Sequence, residues 1–162
     1  MAEEWVDIVD ENNKVIDAVP RSVMRQQHLL HRATYIAITN GQGQLYVQRR
    51  TATKDYCPSM LDACCGGVVS AGEEVLASAY RELAEEMGIT GVTLKPHGSF
   101  LHVDNECNVW GELFSCQYDG ELALQEEEVE YVLLMSGEEI LARSSEFTPD
   151  SLVAIRLWLS VQ

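Results

Sequence analysis

A chain of 162 residues with 46% hydrophobic and 23% charged side chains has the length of one domain and enough apolar material for a core, which excludes a disordered chain. Its 26 acidic against 11 basic residues give a formal charge of −15. That excludes nonspecific nucleic-acid binding, which needs cationic surface to displace counterions, and it requires a cation between the protein and any phosphorylated ligand.

In chain order, residues 5–9 and 14–19 flank the Asp/Asn-rich stretch from Asp10 to Asn13, which predicts a β-hairpin over about residues 4–19. Pro20 opens a short helix that runs through Gln27. Residues 34–39 and 44–49 read as strands around an Asn40-Gly41 turn. A loop containing Pro58 leads to Gly66-Gly67 and the apolar pair Val68-Val69. Residues 73–87 contain no Gly or Pro and carry Leu76, Ala79, Leu83 and Met87 at helical spacing, with Gly88 as the stop. Strands are predicted at 92–103, 109–118 and 129–135, and helices at 136–143 and 149–161, the last with Thr148 as N-cap. No repeat, low-complexity tract or linker divides the chain. Residues 1–162 therefore read as a single domain, a mixed sheet packed between helices.

The helix over 73–87 is the informative segment. Glu82, Glu85 and Glu86 stand at i, i+3 and i+4 and share one face, beside the apolar stripe. Acids near a helix C-terminus oppose the macrodipole by roughly 0.3–1 kcal/mol each. Arg81 is the only cation on this helix, against five glutamates. Like charges about 4 Å apart repel by about 4 kcal/mol at an effective dielectric near 20. A bound divalent cation reverses that cost, because hard cations take carboxylate, water and phosphate oxygens. Such an ion neutralises phosphate charge and activates water. Arg81 suits an ion pair with Glu85 and equally the orientation of a ligand carboxylate. The glycines at 66 and 67 permit close backbone approach, so a carbonyl there could reach the metal.

Residues 67–89 resemble the Nudix box, G-x5-E-x7-R-E-U-x-E-E-x-G-U with U aliphatic, at every defined position. The resemblance implies an α/β (α+β) Nudix fold, a mixed β-sheet sandwiched between α-helices. It implies Mg²⁺ or Mn²⁺, and hydrolysis of a diphosphate linkage in a nucleoside diphosphate-linked or related small molecule. By position it makes Glu82, Glu85 and Glu86 the metal ligands, with Gly66 adding a backbone carbonyl and Arg81 orienting the cluster. Glu85, Glu86 and Arg81 are then the catalytic set. A wider resemblance runs from the N-terminus to about Tyr131. It rests on His31-Arg32-Ala33-Thr34-Tyr35, Gln48-Arg49-Arg50, Lys54-Asp55, Pro58 and Asp62-Ala63-Cys64-Cys65-Gly66. This layout is similar to the isopentenyl-diphosphate isomerase branch and its bacterial hydrolase neighbours. It would put Cys65 at a catalytic cysteine, His31 at a metal-binding histidine and Glu106 near a second catalytic acid. Gly67, however, stands where the isomerase has a histidine ligand, and the box keeps its complete set of glutamates. Hydrolase is favoured over isomerase, and equally over a catalytically idle binding module, which would be free to lose those acids.

The remaining candidates divide between roles. Cys64-Cys65 reads first as a pair of buried small side chains, and His31 as structural. Glu126-Glu127-Glu128 reads as a solvated loop, yet Nudix enzymes often supply a general base from such a late loop. Glu127 and Glu128 are thus candidates, with Glu106 on an earlier turn. Strand alternation sends Arg49 and Arg50 to opposite faces, and Arg49 is read as the one that meets substrate phosphate. Five cysteines without a CxxC pair suggest free thiols in a reducing compartment. With no basic, apolar leader after Met1 and no stretch near the roughly 20 apolar residues that span a bilayer, a cytoplasmic protein without membrane partners is expected. The expected partner is a small-molecule diphosphate, not a nucleic-acid polymer, with self-association as a homodimer left open.

Overall fold

The computed structural model describes residues 3–162. Its strands are β1 (Trp5–Val9), β2 (Val15–Pro20), β3 (His31–Thr39), β4 (Leu45–Arg50), β5 (Leu61–Asp62), β6 (Lys95–Val103), β7 (Asn108–Gln117) and β8 (Val129–Met135). Its helices are α1 (Arg21–Gln27), α2 (Val75–Met87), α3 (Gly137–Ala142) and α4 (Pro149–Ser160), with a 3₁₀ turn at Ser144–Glu146.

The molecule is organised around β3, which is buried almost throughout because both its faces are covered. Alternation sends Ala33, Tyr35 and Ala37 into a core with Leu152, Ile155 and Trp158 of α4. Ile36 and Ile38 go the other way, against Ala79, Leu83 and Met87 of α2. This is the mixed sheet between helices that the sequence predicts.

One flank of β3 pairs in parallel with β7, from His31–Val109 to Thr39–Gln117, and β6 extends the sheet antiparallel to β7. The other flank is shared. β4 meets β3 only at Thr39–Leu45, then departs to pair with β8 from Leu45–Met135 to Arg50–Val129. The segment entering α2 takes the vacated flank through the Ile36–Cys65 and Ala33–Val68 bridges. A cavity lined by residues of both diverging strands opens there.

Several boundaries differ from the pattern-based ones, each for a tertiary reason. β3 begins at His31, three residues early, because β7 offers a partner at Val109. Pro20 closes β2 opposite Trp5 and leaves α1 to start at Arg21. Glu73 stays outside α2, where both its carboxylate oxygens accept from Arg81, at 2.8 and 2.9 Å. Residues 92–94 precede β6 as a loop, and the short β5 carries no periodic signal at all. Thr148 does sit at the N-cap of α4, but its hydroxyl donates to Ser151 Oγ at 2.7 Å rather than capping the helix. Leu76 is exposed, so the buried stripe of α2 is Ala79, Leu83, Glu86 and Met87.

Candidate active site

The cavity measures about 180 Å³. That is smaller than the roughly 300–1,000 Å³ that engulfs a drug-sized ligand, so it has room for a reacting head group whose remainder lies outside. One wall is the C-terminal half of α2, carrying Arg81, Glu82, Glu85 and Glu86. The same cavity is lined by Arg21 and Arg25 of α1, Arg50 at the end of β4, and Lys54.

Position on α2 separates the three glutamates. Glu86, on the core side, is buried at 6% exposure, with the Cys65 thiol 3.7 Å from its Oε1. Burial first, then the adjoining Glu82 carboxylate, push Glu86 well above the usual carboxylate range. Glu85 is turned outward and accepts from Arg81 Nη1 at 3.1 Å, while Glu82 accepts from the same nitrogen at 3.0 Å. Arg81 therefore ties Glu73, Glu82 and Glu85 together but does not reach Glu86. Among the described residues, no three His, Cys, Asp or Glu side chains already close around a metal-sized point. The reason is local, since Arg81 holds Glu85 away from the buried pair.

The backbone before α2 is shaped to the same cavity. Gly66 has φ +148°, and a Cβ there would lie 2.0 Å from the Thr34 carbonyl oxygen, so only glycine fits. The Gly67 carbonyl accepts from the Thr34 N–H at 2.9 Å. The Gly66 carbonyl accepts no hydrogen bond among the described residues. A Cβ on Gly67 would come within 2.9–3.1 Å of the Glu82 carboxylate, so any side chain there would displace that group. The last carbonyls of α2 are satisfied from a later loop, Ala123 N–H donating to Met87 O at 2.9 Å and Gln125 N–H to Glu86 O at 3.0 Å. This anchoring brings Gln125 and Glu128 to the cavity, where Lys54 pairs with the Glu128 carboxylate.

The floor holds a buried polar network. Asp150, in the first turn of α4, accepts from Tyr35 Oη at 2.6 Å and Tyr56 Oη at 3.2 Å. Asp62 accepts from Arg50 Nη1 at 3.2 Å and from the Cys64 N–H at 3.0 Å. Burial outweighs Arg50 and raises Asp62 to about 6. The folded protein thus keeps a proton that the unfolded chain loses near pH 4. The stability this group contributes is present below about pH 4 and is lost as pH rises through about 6. Denaturation midpoints measured from pH 4 to 7 should accordingly shift in favour of Asp62→Asn over wild type as pH rises. Parallel profiles would remove Asp62 from this account. His31, pushed down to about 4 by burial and two nearby arginines, is neutral at pH 7 and donates from Nδ1 to the Leu29 carbonyl at 3.0 Å.

The structure sorts the candidates. Glu82, Glu85, Glu86, Arg81, Gly66, His31, Cys65 and Glu128 all line the cavity. Glu127 instead lines a shallow groove with Thr53 and Asp55, and Glu106 is exposed on the β6–β7 turn. Arg49 lies on the outer face of β4, with its guanidinium 5.8 Å from the Tyr131 ring and 3.8 Å from Glu130, whereas Arg50 faces the cavity. Arg49, expected to meet substrate phosphate, thus does not line the cavity; it contacts Tyr131 and Glu130 of β8, and Arg50 is the strand-end arginine that reaches the site. Sequence reasoning missed Arg21, Arg25 and Asp150, which come from α1 and α4. For the two arginines the only sequence signal is scarce positive charge, since five of the chain's 11 cations line this one cavity, and Asp150 carries no such signal.

A profile described as the NUDIX domain matches residues 29–155. The chain belongs to the Nudix family. It is 56% identical over 156 residues to the uncharacterized Nudix hydrolase YfcD of Escherichia coli strain K12, covering 96% of this chain and 87% of that protein. The crystal structure of DR0079 from Deinococcus radiodurans is similar at a TM-score of 0.83 and 24% identity, over 94% of this chain and 98% of that one. The Nudix domain of Shewanella oneidensis NrtR, solved with ADP-ribose, matches at a TM-score of 0.65 and 12% identity, over 80% of this chain and 86% of that one. By family the protein is a Nudix hydrolase, of the class that cleaves diphosphate bonds and generally uses divalent cations. No helix among the described residues is long and apolar enough to cross a membrane.

Proposed function

We propose that this Nudix hydrolase cleaves a diphosphate linkage in a small molecule with Mg²⁺ or Mn²⁺, held by Glu82 and Glu86 with the Gly66 carbonyl. Glu85, paired here with Arg81, would be the third carboxylate available to the ion. The observation that carries this reading is the buried Glu86 carboxylate pressed against Glu82. Arg81 reaches Glu82 but not Glu86, and the pair shares one cavity with Arg21, Arg25, Arg50 and Lys54. An all-oxygen donor set suits a hard cation. Such an ion, when bound, supplies charge neutralisation at the phosphates and a more acidic water. The chain's own groups do the rest. Arg81 fixes the rotamer of Glu82, Arg50 and Lys54 offer charge to the phosphates, and Glu128 is positioned by Lys54 to take a proton from the attacking water. The free thiols of all five cysteines support a reducing, cytoplasmic setting. Incubating the protein with a panel of diphosphate compounds and either metal, with detection of released phosphate or monophosphate, tests the proposal. Failure to cleave any of them with either metal would sink it.

The isomerase alternative is disfavoured by two observations. Gly67 supplies no imidazole, and a side chain there would displace Glu82. The Cys65 thiol is buried, and burial pushes it well above its ordinary value, away from a reactive thiolate. Cys65→Ala should therefore keep most diphosphate hydrolysis. The wild-type protein should not exchange solvent deuterium into isopentenyl diphosphate. Cys65-dependent wash-in of deuterium would make the isomerase reading correct instead.

A further inference from the structure

The four cations that line the cavity besides Arg81 are not equivalent. Arg21 donates to both oxygens of Asp55, at 2.9 and 3.3 Å, and to Glu4 at 3.2 Å. Arg50 donates to Asp62 and to the Tyr56 carbonyl, and Lys54 pairs with Glu128. Arg25 differs. Its side chain is only 16% exposed, and its one acidic neighbour is an Asp55 oxygen 3.6 Å from Nε. Apart from that ion pair, the Arg25 side chain makes no hydrogen bond among the described residues, and its Nε is buried without a hydrogen-bond partner. A guanidinium has five donors, and burying one with its donors unused is costly unless an anion completes it.

Arg25 is nonetheless held in place. Its guanidinium carbon lies 5.0 Å from the centre of the Tyr56 ring, and that of Arg50 lies 5.7 Å from the same ring. Both are within cation–π range. Tyr56 in turn donates its hydroxyl to buried Asp150, whose other oxygen is taken by Tyr35. We propose that Arg25 is a binding residue for an anionic group of the substrate, a phosphate oxygen of the diphosphate, and that Tyr56, anchored by Asp150, is the positioning residue that presents it. This builds on the hydrolase reading, because the same cavity holds the glutamates of α2. The ring fixes the planar fork before the ligand arrives, so its donors meet the anion with little entropy left to lose.

Calorimetric titration with methylenediphosphonate, a non-hydrolysable diphosphate, in the presence of Mg²⁺ tests the proposal. Arg25→Gln should weaken binding by roughly ten- to a hundredfold, the scale of lost charge-assisted hydrogen bonds. Arg25→Lys keeps the charge but loses the stacked fork, and it should behave like Arg25→Gln rather than like wild type. Tyr56→Leu should weaken binding about tenfold, and Tyr56→Phe, which keeps the ring but loses the Asp150 anchor, should fall between Tyr56→Leu and wild type. Unchanged affinity in Arg25→Gln, or no binding by the wild type, overturns the anion site. Wild-type affinity in Arg25→Lys overturns the platform, and that variant decides the matter if Tyr56→Leu does not fold. A protein that cleaves diphosphates while Arg25→Gln binds the probe normally keeps its hydrolase assignment and loses this one. A protein inert on the whole panel that still loses probe binding in Arg25→Gln does the reverse.

Discussion

Glu86→Gln is expected to cut diphosphate hydrolysis by at least about a hundredfold, because groups that merely support a metal ligand are already worth roughly 10–100-fold. The substitution keeps side-chain shape and removes one negative charge. The sequence pattern placed Glu86 at the edge of the core. The structure buries it, beside Cys65 and Glu82, where its ionised form is disfavoured. A neutral amide is therefore well tolerated, and the metal-free variant should melt at or above the wild-type temperature. Turnover at saturating substrate, paired with a thermal melt, separates lost chemistry from lost folding. A purified variant that turned over at the wild-type rate would remove Glu86 from the metal site.

Divalent metal is the second lever. A ligand that binds only the folded state stabilises it by about 2.7 kcal/mol at a hundred times its dissociation constant. For a chain of this size that raises Tm by roughly 5–10 °C, at about 2–4 °C per kcal/mol. Millimolar Mg²⁺ or Mn²⁺ should produce such a rise, and EDTA should reverse it. Glu82→Gln should shrink the metal-induced rise, because it replaces a carboxylate that would hold the ion. Glu85→Gln should do little to the metal-free melt, since Glu85 is exposed and already paired with Arg81. Scans of wild type that coincide with metal and with EDTA would count against a metal held in this cavity.

The acidic helix was legible because its signal is local. Spacing alone aligns Glu82, Glu85 and Glu86, and a helix has no internal reason to crowd them. The fold was legible for a similar reason, since its strands and helices are set off by local stops such as Asn40-Gly41 and Gly88. The cationic lining of the cavity was not legible. Arg25 and Arg50 lie on different elements, and only the folded chain brings both against the Tyr56 ring. Asp150 looks like an ordinary acid in the first turn of a helix until Tyr35 and Tyr56 converge on it. The choice between Arg49 and Arg50 failed at the same limit. Alternation sets two faces, but which one borders the cavity depends on α1, β3 and α2, whose residues line it together only in the folded chain.

The double burial of β3 also limits how this enzyme can be re-engineered. Ala33, Tyr35 and Ala37 are locked against α4, and Ile36 and Ile38 against α2, so neither face of the strand is free to vary without a cavity or a clash. The same strand fixes Gly66 through the Thr34 carbonyl. New substrate preferences therefore have to be written at the cavity's periphery, in α1, the 51–60 loop and the 121–128 loop. Libraries randomised at those segments should yield folded variants far more often than libraries aimed at β3.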